Sequence, residues 1–236
     1  MIKNTTLSAL TALTLASPAL YAAAEPFTGP SIAIGASLGG LANQTDTSPS
    51  YKQFVTRALT GKPYSNSDNT QDSVLPIVDL SWNVPIAPSW IAGAGINLET
   101  GERTGPENIV SYAPAVGAQS ASLTMKQHTA VYGLIGKQLG ENWLLYGKLG
   151  YHQAKADSKY QFSARVPELD KQQRFTLHGT GIGIGATRAW KNGLELRMEG
   201  EYIAFNEYTH TVLDKGDTVT GKPALSRVNV MLGYRF

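Results

Sequence analysis

The sequence predicts an all-β fold: a transmembrane, eight-stranded, antiparallel up-and-down β-barrel. Three observations carry that prediction. The last eleven residues, 226–236, alternate: Val228, Val230, Leu232, Tyr234 and Phe236 share one side, and Arg227, Asn229, Met231, Gly233 and Arg235 the other. That is a two-residue period with a lipid-compatible face and a mostly polar face, ending on an aromatic residue. Strand-like segments along the chain are joined alternately by long and short connections, as in barrels with short periplasmic turns and long outer loops. The chain also has only four tryptophans. Trp82, Trp90, Trp143 and Trp190 all flank short connections and all fall on apolar faces, so with Phe236 they form an expected membrane girdle at one end.

The N-terminus reads as an export signal. Lys3 supplies the positive region, residues 7–15 the short apolar stretch, and Ala22-Ala23-Ala24 a cleavage site. The expected division is a signal peptide, 1–24, and a barrel domain, 25–236. No later run reaches the roughly 18 to 20 apolar residues of a transmembrane helix. The formal net charge is +2 and charged residues make up 16%, which gives no reason to expect a nucleic-acid partner. There is no cysteine, so thiol catalysis, thiolate metal sites and disulfides are excluded. Stability must then come from a hydrogen-bonded sheet.

The expected strands are 30–42, 74–84, 90–100, 122–139, 143–160, 174–190, 194–205 and 226–236. The first puts Ile32, Ile34, Ala36 and Leu38 outward. The second puts Val78, Leu80, Trp82 and Val84 outward and Asp79, Ser81 and Asn83 inward. In the third, Trp90, Ala92, Ala94, Ile96 and Leu98 alternate with Gly93, Gly95, Asn97 and Glu99. The fourth is mixed, with Val131, Gly133, Ile135 and Leu139 outward. The fifth sets Trp143, Leu145, Leu149 and Tyr151 against Tyr146, Lys148, Gly150 and His152. The sixth sets Ile182, Ile184, Ala186 and Trp190 against Gly181, Gly183 and Gly185; Arg188 interrupts its outward face near the rim, where it can snorkel. The seventh sets Leu194, Leu196, Met198 and Tyr202 against Glu195, Arg197, Glu199 and Glu201. Residues 85–88, 140–142 and 191–193 are expected turns, the last carrying the Asn-Gly hairpin signal. Residues 43–72, 101–121, 161–173 and 206–225 are expected loops, the first with room for a short helix at 50–59.

A secreted β-sandwich would show similar alternation. Its solvated face, however, has no use for Gly181, Gly183 and Gly185, which weaken a strand. The interior of an eight-stranded barrel, only wide enough for side chains, does. Lipid also forbids an open sheet edge.

Three segments, 142–151 (NWLLYGKLGY), 180–202 (TGIGIGATRAWKNGLELRMEGEY) and the closing LGYRF, resemble the OmpA/OmpX-like family of eight-stranded outer-membrane barrels. The aromatic end is similar to the terminal-strand signal of such proteins. The resemblance implies a monomer in the bacterial outer membrane, in contact with outer-membrane lipids and lipopolysaccharide. It implies a role in adhesion, host interaction or envelope integrity, with a narrow pore or a lipid A-modifying enzyme as alternatives. It also implies a barrel without a periplasmic peptidoglycan-binding domain, and an interior plugged by paired charges. Lys148, Arg197 and Glu199 match such a network, and Asp79, Glu99, Glu195, Glu201 and Arg227 are further inward members.

No enzymatic activity is expected. The four histidines, His128, His152, His178 and His210, sit in no nucleophile motif. His128 and His152 should meet across a hairpin, facing inward without a serine. No metal spacing is visible, no cofactor is implied, and the GIGIG run lacks the helix of a nucleotide loop. The loops offer Tyr51, Arg57, Tyr64, Tyr112, Tyr160 and Tyr208 as contacts for a host protein or glycan, with Glu102 and Arg103 among their charges.

Overall fold

The computed structural model describes residues 26–47, 72–105, 108–111, 118–161, 171–213 and 217–236. The expected signal peptide and the possible helix at 50–59 lie outside them, as do Tyr51, Arg57, Tyr64 and Tyr112. The strands are β1 (Gly29–Thr47), β2 (Asp72–Ala87), β3 (Trp90–Thr104), β4 (Asn108–Ser111) and β5 (Ala118–Leu139), then β6 (Trp143–Gln161), β7 (Lys171–Ala189), β8 (Leu194–Phe205), β9 (Tyr208–Leu213) and β10 (Asp217–Arg235).

These ten strands make eight staves. β4 meets β5 at Asn108↔Ala121, just past Thr104↔Thr124 of β3, so β3 and β4 are one interrupted stave. β9 extends β8 in the same way along β10. All neighbours are antiparallel, and β1 pairs with β10 from Ser31↔Arg235 to Thr47↔Val219, which closes the sheet. Closure leaves no strand edge in the hydrocarbon, where an unpaired peptide group costs several kcal/mol.

Alternation sets the two faces. Ile34, Leu38, Leu80, Val131, Leu149, Ile184, Met198 and Leu232 point out and are exposed, while Asp79, Glu99, Lys148, Glu199 and Arg227 point in and are buried. The inward glycines make room for rings. A Cβ at Gly185 would run into the Tyr146 ring, and one at Gly181 into His152. The wall is thus thinnest where large side chains lie across it.

The strands run further than the periodicity suggested. Of the expected loop 43–72, residues 43–47 continue β1. Most of the described part of 101–121 belongs to β3, β4 and β5. Residues 161 and 171–173 extend β6 and β7. The expected loop 206–225 is largely the hairpin of β9 and β10. The reason is physical: above the membrane the outer face of the wall meets water and not lipid, so backbone pairing persists while the outward apolar alternation lapses. At the other end, β2 continues through Pro85 to Ala87, and the turn sits at Pro88-Ser89, with Ser89 at φ 62°. The Asn-Gly turn stands as expected: Gly193 has φ 83°, and the Leu194 amide donates to Asn192 Oδ1 at 3.2 Å.

The β1–β10 seam depends on close approach at Gly35, where an added Cβ would overlap the Val230 carbonyl. Gly35→Val should therefore prevent closure. On unheated gels the wild type should migrate as a compact form that shifts on boiling, and the variant should not. A variant with an unchanged compact form would contradict this account of the seam.

Candidate functional site: the barrel interior and its rims

The interior is filled in layers. At the end bearing the short turns, Phe27 enters the lumen among Ile91, Tyr132, Leu134, Leu144, Tyr146 and Ala189. Its carbonyl accepts from Asn83 Nδ2 at 3.1 Å. At the other end, Leu41, Leu123, Met125, Leu177, Ile203, Phe205 and Leu225 form a second apolar layer. Between them lies a charged layer.

Sequence periodicity aimed eight charged residues inward, and the structure brings all eight together. Arg197 donates to Asp79 Oδ1 and to Glu195 Oε1, both at 2.5 Å. Arg235 Nη2 adds a contact to Glu195 Oε2 at 2.8 Å. Lys148 Nζ donates to Glu199 Oε2 and Asn97 Oδ1 at 2.9 Å each, and lies 4.1 Å from the centre of the Tyr132 ring. The Tyr132 hydroxyl donates to Asp79 and the Tyr146 hydroxyl to Glu199, at 2.7 and 2.8 Å. Arg227 grips Glu201 Oε2 through Nε and Nη2, at 2.8 and 2.5 Å, and reaches Glu99 at 3.1 Å. Among the described residues, the buried cations of the lumen are Arg103, Lys148, Arg197, Arg227 and Arg235; its buried carboxylates are Asp79, Glu99, Glu195, Glu199 and Glu201. Five stand against five, so the lumen carries no formal excess charge to draw in a counter-ion.

His128 and His152 meet as their hairpin positions suggested, with His128 Nε2 3.1 Å from His152 Nδ1. Arg227 Nη1 lies 3.2 Å from His128 Nδ1. A guanidinium only donates, so that nitrogen accepts and His128 carries its proton on Nε2. His152 Nε2 in turn faces Glu201 Oε1 at 3.4 Å. The pair closes a ring with Arg227 and Glu201. Among the described residues no cluster of His, Asp and Glu is arranged to hold a metal ion.

Arg103 was missed. Ending the third strand at residue 100 placed it on a surface loop, but it is only 1% exposed. It sits 3.3 Å from Glu99, donates to the carbonyl of Gly39, and reaches Ser73 O at 3.1 Å, so it fastens β3 to β1 and to the start of β2. The even spacing from Asn97 through Glu99 to Arg103 was the available signal. Gly101, at φ 113°, marks the irregularity that obscured it.

The rims carry the remaining candidates. Trp82, Trp90, Trp143, Trp190 and Phe236 all point outward and are exposed. The Arg188 guanidinium lies 5.7 Å from the Trp143 ring and 5.4 Å from Trp190. Tyr160 stands on β6, paired with Lys171 and Ala121, within the protruding wall. Tyr208 is moved from its expected surface loop. It lies on β9, half-buried, its ring 4.7 Å from Phe175, and its hydroxyl accepts from Asn43 Nδ2 at 2.9 Å. Burial pushes its phenol above the ordinary value, so it stays neutral. On the outer wall the bond to Glu102 at 2.7 Å, with Asp157 beside it, raises the Lys126 ammonium.

No protein-family model and no curated protein sequence matches the chain. Solved structures do. The outer membrane protein OprG from Pseudomonas aeruginosa aligns with a TM-score of 0.53 at 13% identity, over 89% of this chain and 96% of its own. Ail, the attachment invasion locus protein of Yersinia pestis, solved with the heparin analogue sucrose octasulfate, aligns at 0.43 and 14%, over 89% and 99%. The outer membrane protease OmpT from Escherichia coli aligns at 0.42 and 10%, over 87% and 97%. At these identities the likeness concerns the fold. It also corrects one expectation: with a protease among the matched barrels, the architecture does not argue against catalysis, and the expectation of no enzymatic activity is withdrawn.

Removing one partner of a buried ion pair leaves an uncompensated charge, at a cost of about 3–5 kcal/mol. Lys148→Met should lose that much in reversible urea unfolding from lipid vesicles, and adding Glu199→Gln should recover most of it. A double variant as unstable as the single one would contradict the pairing.

Proposed function

Starting from a chain with the fold of the OmpA/OmpX-like eight-stranded outer-membrane barrels, we propose that it acts as a closed, non-conducting post for surface contact. The post holds a protruding β-wall and its loops outside the cell, for adhesion to a host protein or glycan. The observation that carries this reading is the lumen. Two apolar layers bracket a charge-balanced layer of ion pairs, and an eight-stranded barrel has room for little more than such side chains. A gated pore would have to break several buried pairs at once.

The wall supports the same reading. β5 has 22 residues and β6, β7 and β10 have 19 each, against the roughly 9 to 11 needed to cross a bilayer. The surplus builds a rigid projection, and conserving strand pairing there reduces the entropy lost when a partner binds. Binding surfaces are commonly carried on loops held by such scaffolds.

Planar-bilayer recordings of the folded protein should show no stable open state. Replacing Tyr160 and the 162–170 tip by a Gly-Ser linker should abolish attachment of expressing cells to host cells, with the compact gel form retained. Sustained single-channel conductance, or full attachment without the tip, would overturn the proposal.

A further inference from the structure

At the end bearing the short turns, the lumen is closed by a strap and not by the wall. Residues 26–28 precede β1 and belong to no strand. They cross the mouth and set Phe27 against Tyr132 of β5, Leu144 of β6 and Ala189 of β7, where it is fully buried. Gly29, at φ 94°, makes the bend from strap to wall, a conformation that other residues rarely adopt. Two bonds fix the foot of that bend: Arg235 Nη1 donates to the Gly29 carbonyl and the Phe236 amide to the Pro30 carbonyl, both at 3.0 Å.

Beside the strap lies a cleft of about 610 Å³. Pro26 and Thr28 border it, with Glu141 of the β5–β6 turn, Lys191 of the β7–β8 turn, and Arg235. Arg235 is 7% exposed, and its Nη2 is held by Glu195 Oε2 at 2.8 Å. Its third donor group, Nε, is buried with no acceptor among the described residues. A buried donor of a charged group is costly to leave unpaired, and a carboxylate is its strongest partner. The chain enters this cleft at Pro26. Residue 25 lies outside the described residues, one Cα step of about 3.8 Å away. The sequence puts export cleavage after Ala24, so the residue beside the cleft is Glu25. Hydrolysis of the Ala24–Glu25 peptide bond leaves a carboxylate on Ala24, which departs with the leader. Glu25 keeps the nitrogen, now an ammonium. The processed residue thus carries one anion and one cation, and the cleft presents the opposite pair in Arg235 and Glu141.

We propose that the processed N-terminus, Glu25, seats in this cleft as a latch, its carboxylate accepting from Arg235 Nε and its ammonium pairing with Glu141. The latch holds Phe27 in the mouth, so removal of the leader completes the seal of the lumen. Before cleavage the same nitrogen is a neutral amide, and the whole leader has to leave through the open side of the cleft. Of the two contacts, the one to buried Arg235 is the stronger; Glu141 is exposed, and its pair is screened by water. The latch is independent of the surface-contact reading, since it concerns the opposite end of the barrel.

The intact mass of the exported protein should match residues 25–236. Hydrogen exchange of the folded protein in detergent, read by mass spectrometry on the peptide spanning 26–31, then reports opening of the strap. Glu25→Gln should speed that exchange about tenfold, and Glu141→Gln about threefold. A refolded chain with three residues added ahead of Glu25 keeps the carboxylate and displaces the ammonium, so it should match Glu141→Gln. In an Arg235→Lys background, which keeps the charge and lacks Nε, Glu25→Gln should add nothing. Glu207→Gln, at the other end of the barrel, should leave the exchange unchanged. The compact gel form checks that each variant is folded; if Arg235→Lys lacks it, Glu25→Gln and the extended chain decide. A different mature start, unchanged exchange in Glu25→Gln, or an undiminished effect of Glu25→Gln without Nε would overturn the proposal.

Discussion

In a hydrocarbon slab a peptide group has no water to turn to, so every strand needs a neighbour on both sides. The continuous pairing of β1 with β10 is the contact that meets this requirement. Everything else in the molecule follows from it. A closed wall has one face toward lipid and one toward a narrow lumen, and the period of two assigns each residue to one or the other. Apolar side chains that would be a hazard on a soluble sheet become the lipid-facing coat. Charged side chains that lipid would reject are gathered where they can pair.

The narrow lumen turns that gathering into a packing problem. Burying an ion is costly unless a partner of opposite charge and further hydrogen bonds offset its lost hydration. Asp79 shows how dense the solution is, since Arg197, Tyr132 and Asn97 all converge on it. Glycine supplies the space: the β7 positions facing Tyr146 and His152 carry no Cβ, so the rings lie against the backbone. The same arrangement accounts for the closed interior. Phe27 and the Leu41–Leu225 layer keep water from both ends, and in the resulting low dielectric the central pairs are strong and costly to separate.

The sequence made the transmembrane wall legible because there the two faces meet opposite solvents. On β6 the outward residues Trp143, Leu145, Leu149 and Tyr151 and the inward residues Tyr146, Lys148 and His152 lie on the faces the period gave them, and the meeting of His128 with His152 followed from hairpin register alone. Legibility faded where that contrast ends. The β9–β10 hairpin read as a loop, because between Asp217 and Lys222 Val219 is the one clearly apolar residue, too few to set a period of two. Arg103 was lost for a related reason: the strand was ended before the Gly101 irregularity, and a buried arginine looks like a solvated one in sequence. Tyr208 shows the converse. An aromatic residue in a polar stretch was taken for a contact residue, when it closes the top of the interior.

The central claim is that the apolar face touches lipid and the charged face does not. The four tryptophans report on it directly, since all lie on the outward face near the short turns and no fifth indole confuses the signal. Fluorescence of the folded protein in vesicles of lipids brominated at different acyl depths measures this. The account predicts strong quenching by bromine close to the headgroups, weaker quenching by bromine at the bilayer centre, and little by aqueous iodide. Indoles quenched by iodide and untouched by brominated lipid would contradict it.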